Sequence, residues 1–292
     1  MLNELLLHPR TRLQIETFLA NSSHGLILSG PDGAGKRTLA VVIAALLVNT
    51  QSVEALKQYP YYSLTDPSEP TITIDEIRIL QKLLTLRTPL VKNQPVRRVL
   101  AIIDAGKMRF EAQNAFLKSL EEPPDDTVII LTAEANHSLL PTILSRVQHI
   151  EVLPVSESQA LDYYLQKGFS SSNITKNYAL AQGQGGLLHS LLTDSTHPLK
   201  ESVERAKSLL AKTVAERLES VDELSKDKTA INLLLNAFAR IAHAALTSAG
   251  KTHNKTGVIR WHRTSSLIQK AKVSMDHNAN TKILLDNLLL NL

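Results

Sequence analysis

The sequence predicts an α/β domain with a parallel sheet, followed by a small helical lid and an all-α carboxyl-terminal domain. In the first half of the chain, short apolar runs alternate with helical patterns, as expected for βαβ units around a buried sheet. After Pro154 the strand signals stop, and the remaining patterns are typical of helices and loops. We therefore expect three domains, over residues 1–153, 154–195 and 196–292.

The predicted strands are apolar runs of the length that a buried strand needs. They cover residues 26–28, 99–103 and 128–131, with weaker or edge strands at 72–74 and 149–152. Helical spacing of apolar residues predicts helices over residues 37–48, 74–86 and 112–120. A glycine-rich stretch at residues 183–186 is predicted to be flexible.

The composition excludes several classes of protein. The chain of 292 residues has no cysteine, so disulfides, thiolate zinc sites and thiol nucleophiles are excluded. No apolar run reaches the length of a bilayer span and no secretory signal is evident, which predicts a cytoplasmic protein without a membrane. The net charge of +4 is too small to indicate nucleic-acid binding by itself.

A glycine-rich loop follows the first predicted strand and precedes a helix. Gly30, Gly33 and Gly35 allow the backbone to approach a phosphate, and Lys36 supplies a positive charge. The pattern predicts a phosphate loop that holds ATP or ADP. The alternative is a glycine-rich turn without a ligand.

This loop departs from the usual pattern at the residue after Lys36. A serine or threonine there holds Mg²⁺ through its hydroxyl, whereas this chain has Arg37, and Thr38 comes one position late. On a helix, one position rotates a side chain by about 100°. We therefore expect nucleotide binding without metal-assisted hydrolysis.

A second departure lies after the predicted strand at residues 99–103. Asp104 occupies the place of the metal-binding aspartate of P-loop proteins, but Ala105 stands where AAA+ ATPases have a catalytic glutamate. Alanine can neither accept a proton nor orient water. The two departures together predict an inactive hydrolytic site, although Asp104 can also be interpreted as a capping or loop carboxylate.

Several motifs then follow in order along the chain. They are IDEIR at residues 74–78, IIDAGKM at 102–108, NAFLKSLEEPP at 114–124 and LPTILSR at 140–146. In this order they resemble the bacterial clamp-loader family of AAA+ proteins, in its delta-prime form. Val147 departs from the family pattern, which has cysteine there.

The resemblance implies a RecA-like AAA+ domain, a lid and a collar that joins five subunits in a ring. The partners it implies are the motor (gamma/tau) and delta subunits and, through the complex, the sliding clamp and primer-template DNA. It also implies that Arg146 is an arginine finger, which acts in trans on ATP held by a neighbouring motor subunit. The competing interpretation of Arg146 is an ordinary surface ion pair.

The resemblance has further gaps. The zinc module of many relatives is missing because its interval has no cysteine, so no zinc is expected. The lid has no counterpart of the sensor 2 arginine near Gly186 and Leu187. Sensor 1 falls near Thr132 and Ala133 without a definite assignment.

Basic residues in the matching segments are candidates for DNA phosphate contacts. They are Arg78, Lys107 and Arg109, for which a solvated surface is an equal alternative. Arg97 and Arg98, before a core strand, are expected at the surface.

Three functional hypotheses remain. The first is a delta-prime-type subunit without independent ATPase activity, which supplies Arg146 to a neighbour. The second is an ATP-hydrolysing motor subunit or another AAA+ ATPase, which should retain the hydrolytic residues that this chain lacks. The third is an unrelated nucleotide-binding scaffold, against which the ordered motifs argue.

Overall fold

A computed structural model describes residues 1–66, 71–92, 94–134, 139–277 and 279–292. Internal contacts divide the chain into two compact units. The first, the α/β unit, consists of Met1–Tyr163 and Gly183–Leu187, and the second, the helical unit, consists of Tyr164–Gln182 and Leu188–Leu292. The segment expected to form the lid is thus shared between the units, and the three-domain division stays a prediction.

The α/β unit is built on a five-stranded sheet in the order β2-β3-β4-β1-β5, and every pairing of neighbouring strands is parallel. The strands are β1 Gly25–Ser29, β2 Tyr62–Thr65, β3 Arg98–Ile102, β4 Thr127–Ala133 and β5 Gln148–Glu151. Side chains of β1, β3 and β4 are buried along their whole length, as the apolar runs predicted. The predicted α/β class is confirmed.

Helices cover both faces of the sheet because successive strand residues point to opposite sides. Leu26 and Leu28 pack with Phe18 on one face, whereas Ile27 packs with Phe116 on the other. The helices that precede the end of β5 are α1 Pro9–Ala20, α2 Lys36–Leu47, α3 Val53–Lys57, α4 Ile74–Leu84, α5 Phe110–Glu121 and α6 Pro141–Leu144. Short 3₁₀ helices lie at Leu2–Glu4 and Ala105–Lys107.

The prediction of a strand at residues 72–74 was wrong. Ile72 forms a single parallel bridge with Met108, and Thr73 caps α4 through a capping box with Glu76. The edge strand is β2 instead, which sequence reasoning missed. Its four residues are only partly buried, so the sequence lacks the apolar run of a core strand.

The expectation that Arg97 and Arg98 lie at the surface was also wrong for Arg98, which is 2% exposed. Its guanidinium donates to the carbonyl oxygen of Leu84 at 2.7 Å and to that of Leu86, at the end of α4. Arg97 forms an ion pair of 3.3 Å with the buried Asp126. Burial opposes ionisation of Asp126, but hydrogen bonds from threonine hydroxyls and the two arginine charges outweigh it and lower the pKa of its carboxyl.

The remaining helices lie after the sheet, and no strand follows β5 in the described residues. They are α7 Glu157–Leu165, α8 Ser171–Ala181, α9 Gly185–Thr193, α10 Pro198–Ala211, α11 Val214–Glu219, α12 Val221–Leu224, α13 Lys228–Lys251, α14 Lys255–Asp276 and α15 Thr281–Asn291. The predicted helical carboxyl-terminal region is confirmed. The glycine stretch at residues 183–186 contains the start of α9 and is not only a connecting loop.

Within the described residues, α13 alone meets the length and composition of a bilayer span, with a mean hydropathy of 1.2, whereas the sequence predicted no segment of that length. Leu234 and Phe238 are buried on its apolar face, and the helix packs against α10 and α14. Arg240 is a charged residue within this apolar helix, and its side chain donates to the carbonyl oxygen of Leu180 at 2.8 Å. We interpret α13 as the central helix of the helical unit.

Candidate phosphate loop and interfacial arginine

The carboxyl ends of the parallel strands meet at one edge of the sheet and carry the predicted phosphate site. The loop of residues 30–35 follows β1, and Asp104 follows β3. Thr132 lies near the end of β4, between these two strands. The residues predicted to bind the nucleotide therefore lie at a common edge of the sheet.

The loop has a backbone conformation that depends on its glycines. Gly33 and Gly35 have φ angles of 85° and 90°, a left-handed region that favours glycine. Lys36 begins α2, is 7% exposed, and donates through Nζ to the carbonyl oxygens of Gly30 at 2.8 Å and Pro31 at 2.9 Å. An ammonium group has three hydrogens, so one remains for an anion.

The start of α9 closes one side of this loop. The Leu187 amide donates to the carbonyl oxygen of Gly33 at 2.7 Å. A Cβ atom on Gly186 would lie 2.6 Å from Gly35 Cα and 2.7 Å from Gly35 N. Only glycine fits this approach, so the segment predicted to be flexible is a packed contact with the phosphate loop.

Gly186→Ala is expected to lower the free energy of unfolding by about 1–3 kcal/mol, because the added methyl group overlaps the Gly35 backbone. Urea denaturation followed by circular dichroism measures the change. Gly250→Ala is the matched control, since nothing lies within 4 Å of its added methyl group. Equal stability of the Gly186→Ala protein and the wild type would contradict the contact.

Arg37, at the position of the metal-holding hydroxyl, has a partner of its own. Its Nε donates to Asp66 Oδ2 at 2.6 Å, just beyond the end of β2. Burial raises the pKa of the nearby Tyr62 to about 12, and its hydroxyl has no hydrogen-bond partner in the described part of the chain. Thr38 is exposed on the next position of α2. Arg37 thus places a paired positive charge where Mg²⁺ would need a neutral oxygen ligand.

Asp104 lies at the predicted place but differs in its surroundings from an active metal site. Its backbone amide donates to Thr132 Oγ1 at 2.9 Å, and its carboxylate pairs with Lys107 Nζ at 3.3 Å. Ala105 is fully buried in the core below the edge. The position of the catalytic glutamate therefore holds a methyl group that no water can reach.

A cavity of about 610 Å³ lies beside the loop, between α1 and β5. Arg10 supplies a positive charge to its lining, whereas Glu134 and Glu151 supply negative charges. Gly30 and Pro31 of the loop also line this cavity. Because carboxylates repel phosphate, Glu134 and Glu151 do not favour a phosphate group beside them.

Arg146 lies at the opposite edge of the sheet, where the amino ends of the strands meet. It follows α6 and precedes β5, and its carbonyl oxygen lies 3.4 Å from the Cβ position of Gly25, the first residue of β1. The guanidinium donates to Glu121 Oε1 at 2.7 Å and to the carbonyl oxygen of Thr142 at 2.8 Å. Glu121 ends α5 on the approach to β4, at this same edge.

The strand geometry separates Arg146 from the phosphate loop of its own chain. Gly25 and Ser29 are the two ends of β1, about 13 Å apart at a rise of about 3.3 Å per residue. Arg146 lies beside the first end, its guanidinium is held there by Glu121, and the loop begins after the second. In this arrangement Arg146 does not serve the phosphate loop that follows β1.

The residues predicted to contact DNA lie near the beginnings of α4 and α5. The bridge between Ile72 and Met108 joins the segments that precede these helices. Lys107 and Arg109 lie in the segment before α5, and Arg78 lies on α4, paired with Asp75 at 2.9 Å. All three basic side chains are exposed. The structure thus places Arg78 on α4, and Lys107 and Arg109 just before the start of the adjacent α5.

Sequence reasoning missed three residues that contact the predicted site. Asp66 pairs with Arg37, Glu121 pairs with Arg146, and Gly186 packs on Gly35. Glu121 could have been considered because it belongs to a quoted motif. The other two have no local sequence signal.

The five-stranded parallel sheet, with the glycine-rich loop after β1 and the acidic residue after β3, defines an α/β fold of the RecA-like AAA+ class. A solved DNA polymerase III gamma subunit-related protein of Thermotoga maritima shares the fold, with a TM-score of 0.56 and 20% identity. The alignment covers 94% of this chain and 97% of that one.

A family model described as DNA polymerase III, delta subunit matches residues 11–156, half of the chain. The chain therefore belongs to the delta-prime family of DNA polymerase III clamp-loader subunits.

Two curated relatives show the extent of this similarity. The chain is 35% identical to subunit delta' of Pseudomonas aeruginosa over 46% of its own length and 45% of the relative. It is 28% identical to subunit delta' of Bacillus subtilis over 54% of its own length and 53% of the relative. The matches thus span about half the length of these relatives.

Proposed function

We propose that this chain is a non-hydrolysing subunit of a clamp loader and supplies Arg146 to ATP bound by a neighbouring motor subunit. The observation that carries the proposal is the position of Arg146 at the amino edge of the sheet, away from its own phosphate loop. An arginine there serves catalysis only across an interface between subunits. Positive charge at the transferring phosphoryl group contributes about 10³–10⁵ in rate.

Residues at the carboxyl ends of the strands support the proposed absence of hydrolysis in this chain. Arg37 is paired with Asp66 and offers no oxygen to Mg²⁺, and the buried Ala105 orients no water. The phosphate loop keeps its left-handed glycines and a lysine hydrogen, which supports binding of ATP or ADP. Gly186 packs on Gly35 and the Leu187 amide donates to the Gly33 carbonyl oxygen, so part of the loop surface is already occupied, which favours weak binding.

The partners are the motor (gamma/tau) and delta subunits of a five-membered ring, which acts in the cytoplasm. The complex would hold a sliding clamp and primer-template DNA. Contacts from Arg78, Lys107 and Arg109 to DNA phosphates are consistent with their exposure and with the nearby helix amino termini.

The purified chain is expected to show no ATP turnover by itself, and added to motor and delta subunits it should raise their DNA-stimulated turnover. A coupled phosphate-release assay measures both quantities. Lys36→Ala is the control, because it removes the loop charge and should leave the stimulation unchanged. Turnover by the purified chain that Lys36→Ala abolishes would identify a motor and refute the proposal.

A further inference from the structure

The guanidinium of Arg146 is held in place by its own chain. Glu121 Oε1 accepts from Nη2 at 2.7 Å, the Thr142 carbonyl oxygen accepts from Nη1 at 2.8 Å, and Ser145 Oγ lies 3.3 Å from Nη1. These partners come from the end of α5 and from α6. They restrict a side chain that otherwise has many rotamers.

Two of the five hydrogens of the guanidinium have no acceptor among the described residues. Among the described residues nothing accepts from Nε, and Nη2 donates only to Glu121. Since Nη2 has two hydrogens, Nε and Nη2 each keep one available hydrogen. The Arg146 side chain is 33% exposed, so a ligand outside the chain can reach these hydrogens.

We propose that Glu121 is a positioning residue that orients Arg146 for an anionic oxygen group on a neighbouring subunit. The inference rests on the proposed function, in which that group is a nucleotide phosphate. Glu121 accepts one hydrogen of Nη2, so the Nε hydrogen and the second Nη2 hydrogen stay available to an oxygen group of the neighbour. The carboxylate also balances the arginine charge while the neighbour is absent.

The geometry of the ion pair indicates that Glu121 orients Arg146 and does not withhold it from a partner. A carboxylate that sequesters an arginine engages two N–H groups in a fork. Here one carboxylate oxygen contacts one nitrogen, and the Glu121 side chain is 48% exposed. A preoriented arginine loses less conformational freedom in the transition state, which favours a faster chemical step.

The test compares Glu121→Ala with Glu121→Gln in the reconstituted complex, with Glu122→Ala as the matched control. Glu122 is the next residue and is exposed, and its carboxylate makes no ion pair within the described residues. Glu121→Ala is expected to lower the kcat of ATP hydrolysis at the facing motor site about tenfold, with the KM for ATP unchanged. Glu121→Gln keeps an oxygen acceptor and should stay within about twofold of the wild type.

The double variant Glu121→Ala with Arg146→Ala separates the two proposals. If Glu121 acts through Arg146, the double variant is as slow as Arg146→Ala alone. The positioning role would be overturned if the double variant were slower than Arg146→Ala alone, or if Glu121→Ala left the rate unchanged or raised it. None of these results would contradict the proposed role of Arg146. A normal rate for Arg146→Ala would instead overturn the proposed function itself.

Discussion

Arg146→Ala is expected to slow ATP hydrolysis at the facing motor site about 10³-fold in the reconstituted complex. In the proposed function the guanidinium supplies positive charge where the transition state develops negative charge, and alanine supplies none. Single-turnover hydrolysis in the presence of sliding clamp and primed DNA measures the effect. A single-turnover experiment separates the slow hydrolysis at this one site from hydrolysis at the other motor sites, which keep their own arginines.

Two controls make this result specific. Arg146→Lys keeps the charge but cannot form the planar bidentate contact, so an intermediate rate is expected. Arg87→Ala removes an exposed arginine of the same unit and should change nothing. Since Arg146 is partly exposed and lies outside the core clusters, ring assembly should be preserved. Loss of assembly with Arg146→Ala would assign the residue a structural role.

Structural features that depend on neighbouring residues of the chain could be predicted from the sequence. The phosphate loop is such a feature, because glycines at fixed spacing before Lys36 impose a local conformation. The core strands were also predicted, since a strand buried on both faces requires a continuous apolar run. In both cases the physical requirement falls on neighbouring positions of the chain.

Contacts between distant segments could not be predicted in this way. Glu121 and Arg146 are 25 positions apart, and they meet only because α5 and α6 end at the same edge of the sheet. Gly186 resembles a linker residue in the sequence, and its role follows from the close approach of Gly35. Similarly, β2 lies at an edge and needs few apolar residues, so its pattern is weak.

Arg98 shows most clearly how charge pattern alone misleads. Adjacent arginines before a strand are usually solvated, but Arg98 is buried because α4 ends beside it with unpaired carbonyl groups. Its charge is balanced by Asp126, whose carboxyl pKa is lowered in part by the arginine. A buried cation is stable here because both its hydrogens and its charge are matched.

Arg98→Ala is therefore expected to lower the free energy of unfolding by about 3–5 kcal/mol, because it leaves buried carbonyl groups without donors and weakens the balance of charge at Asp126. Urea denaturation measures the loss, and hydrogen exchange at the amides of β3 and β4 assigns it to the α/β unit. Trp261 lies in the helical unit, so its fluorescence reports that unit separately.

The matched control is Arg205→Ala, which removes an arginine paired with Glu223 at 3.2 Å at an exposed site. Exposed ion pairs contribute about 1 kcal/mol or less, so this variant should unfold nearly as the wild type does. The contrast isolates burial as the cause, since both changes remove an arginine side chain whose charge acts on a nearby carboxylate. If the two variants lost equal stability, the hydrogen bonds from Arg98 to the end of α4 would contribute nothing to folding.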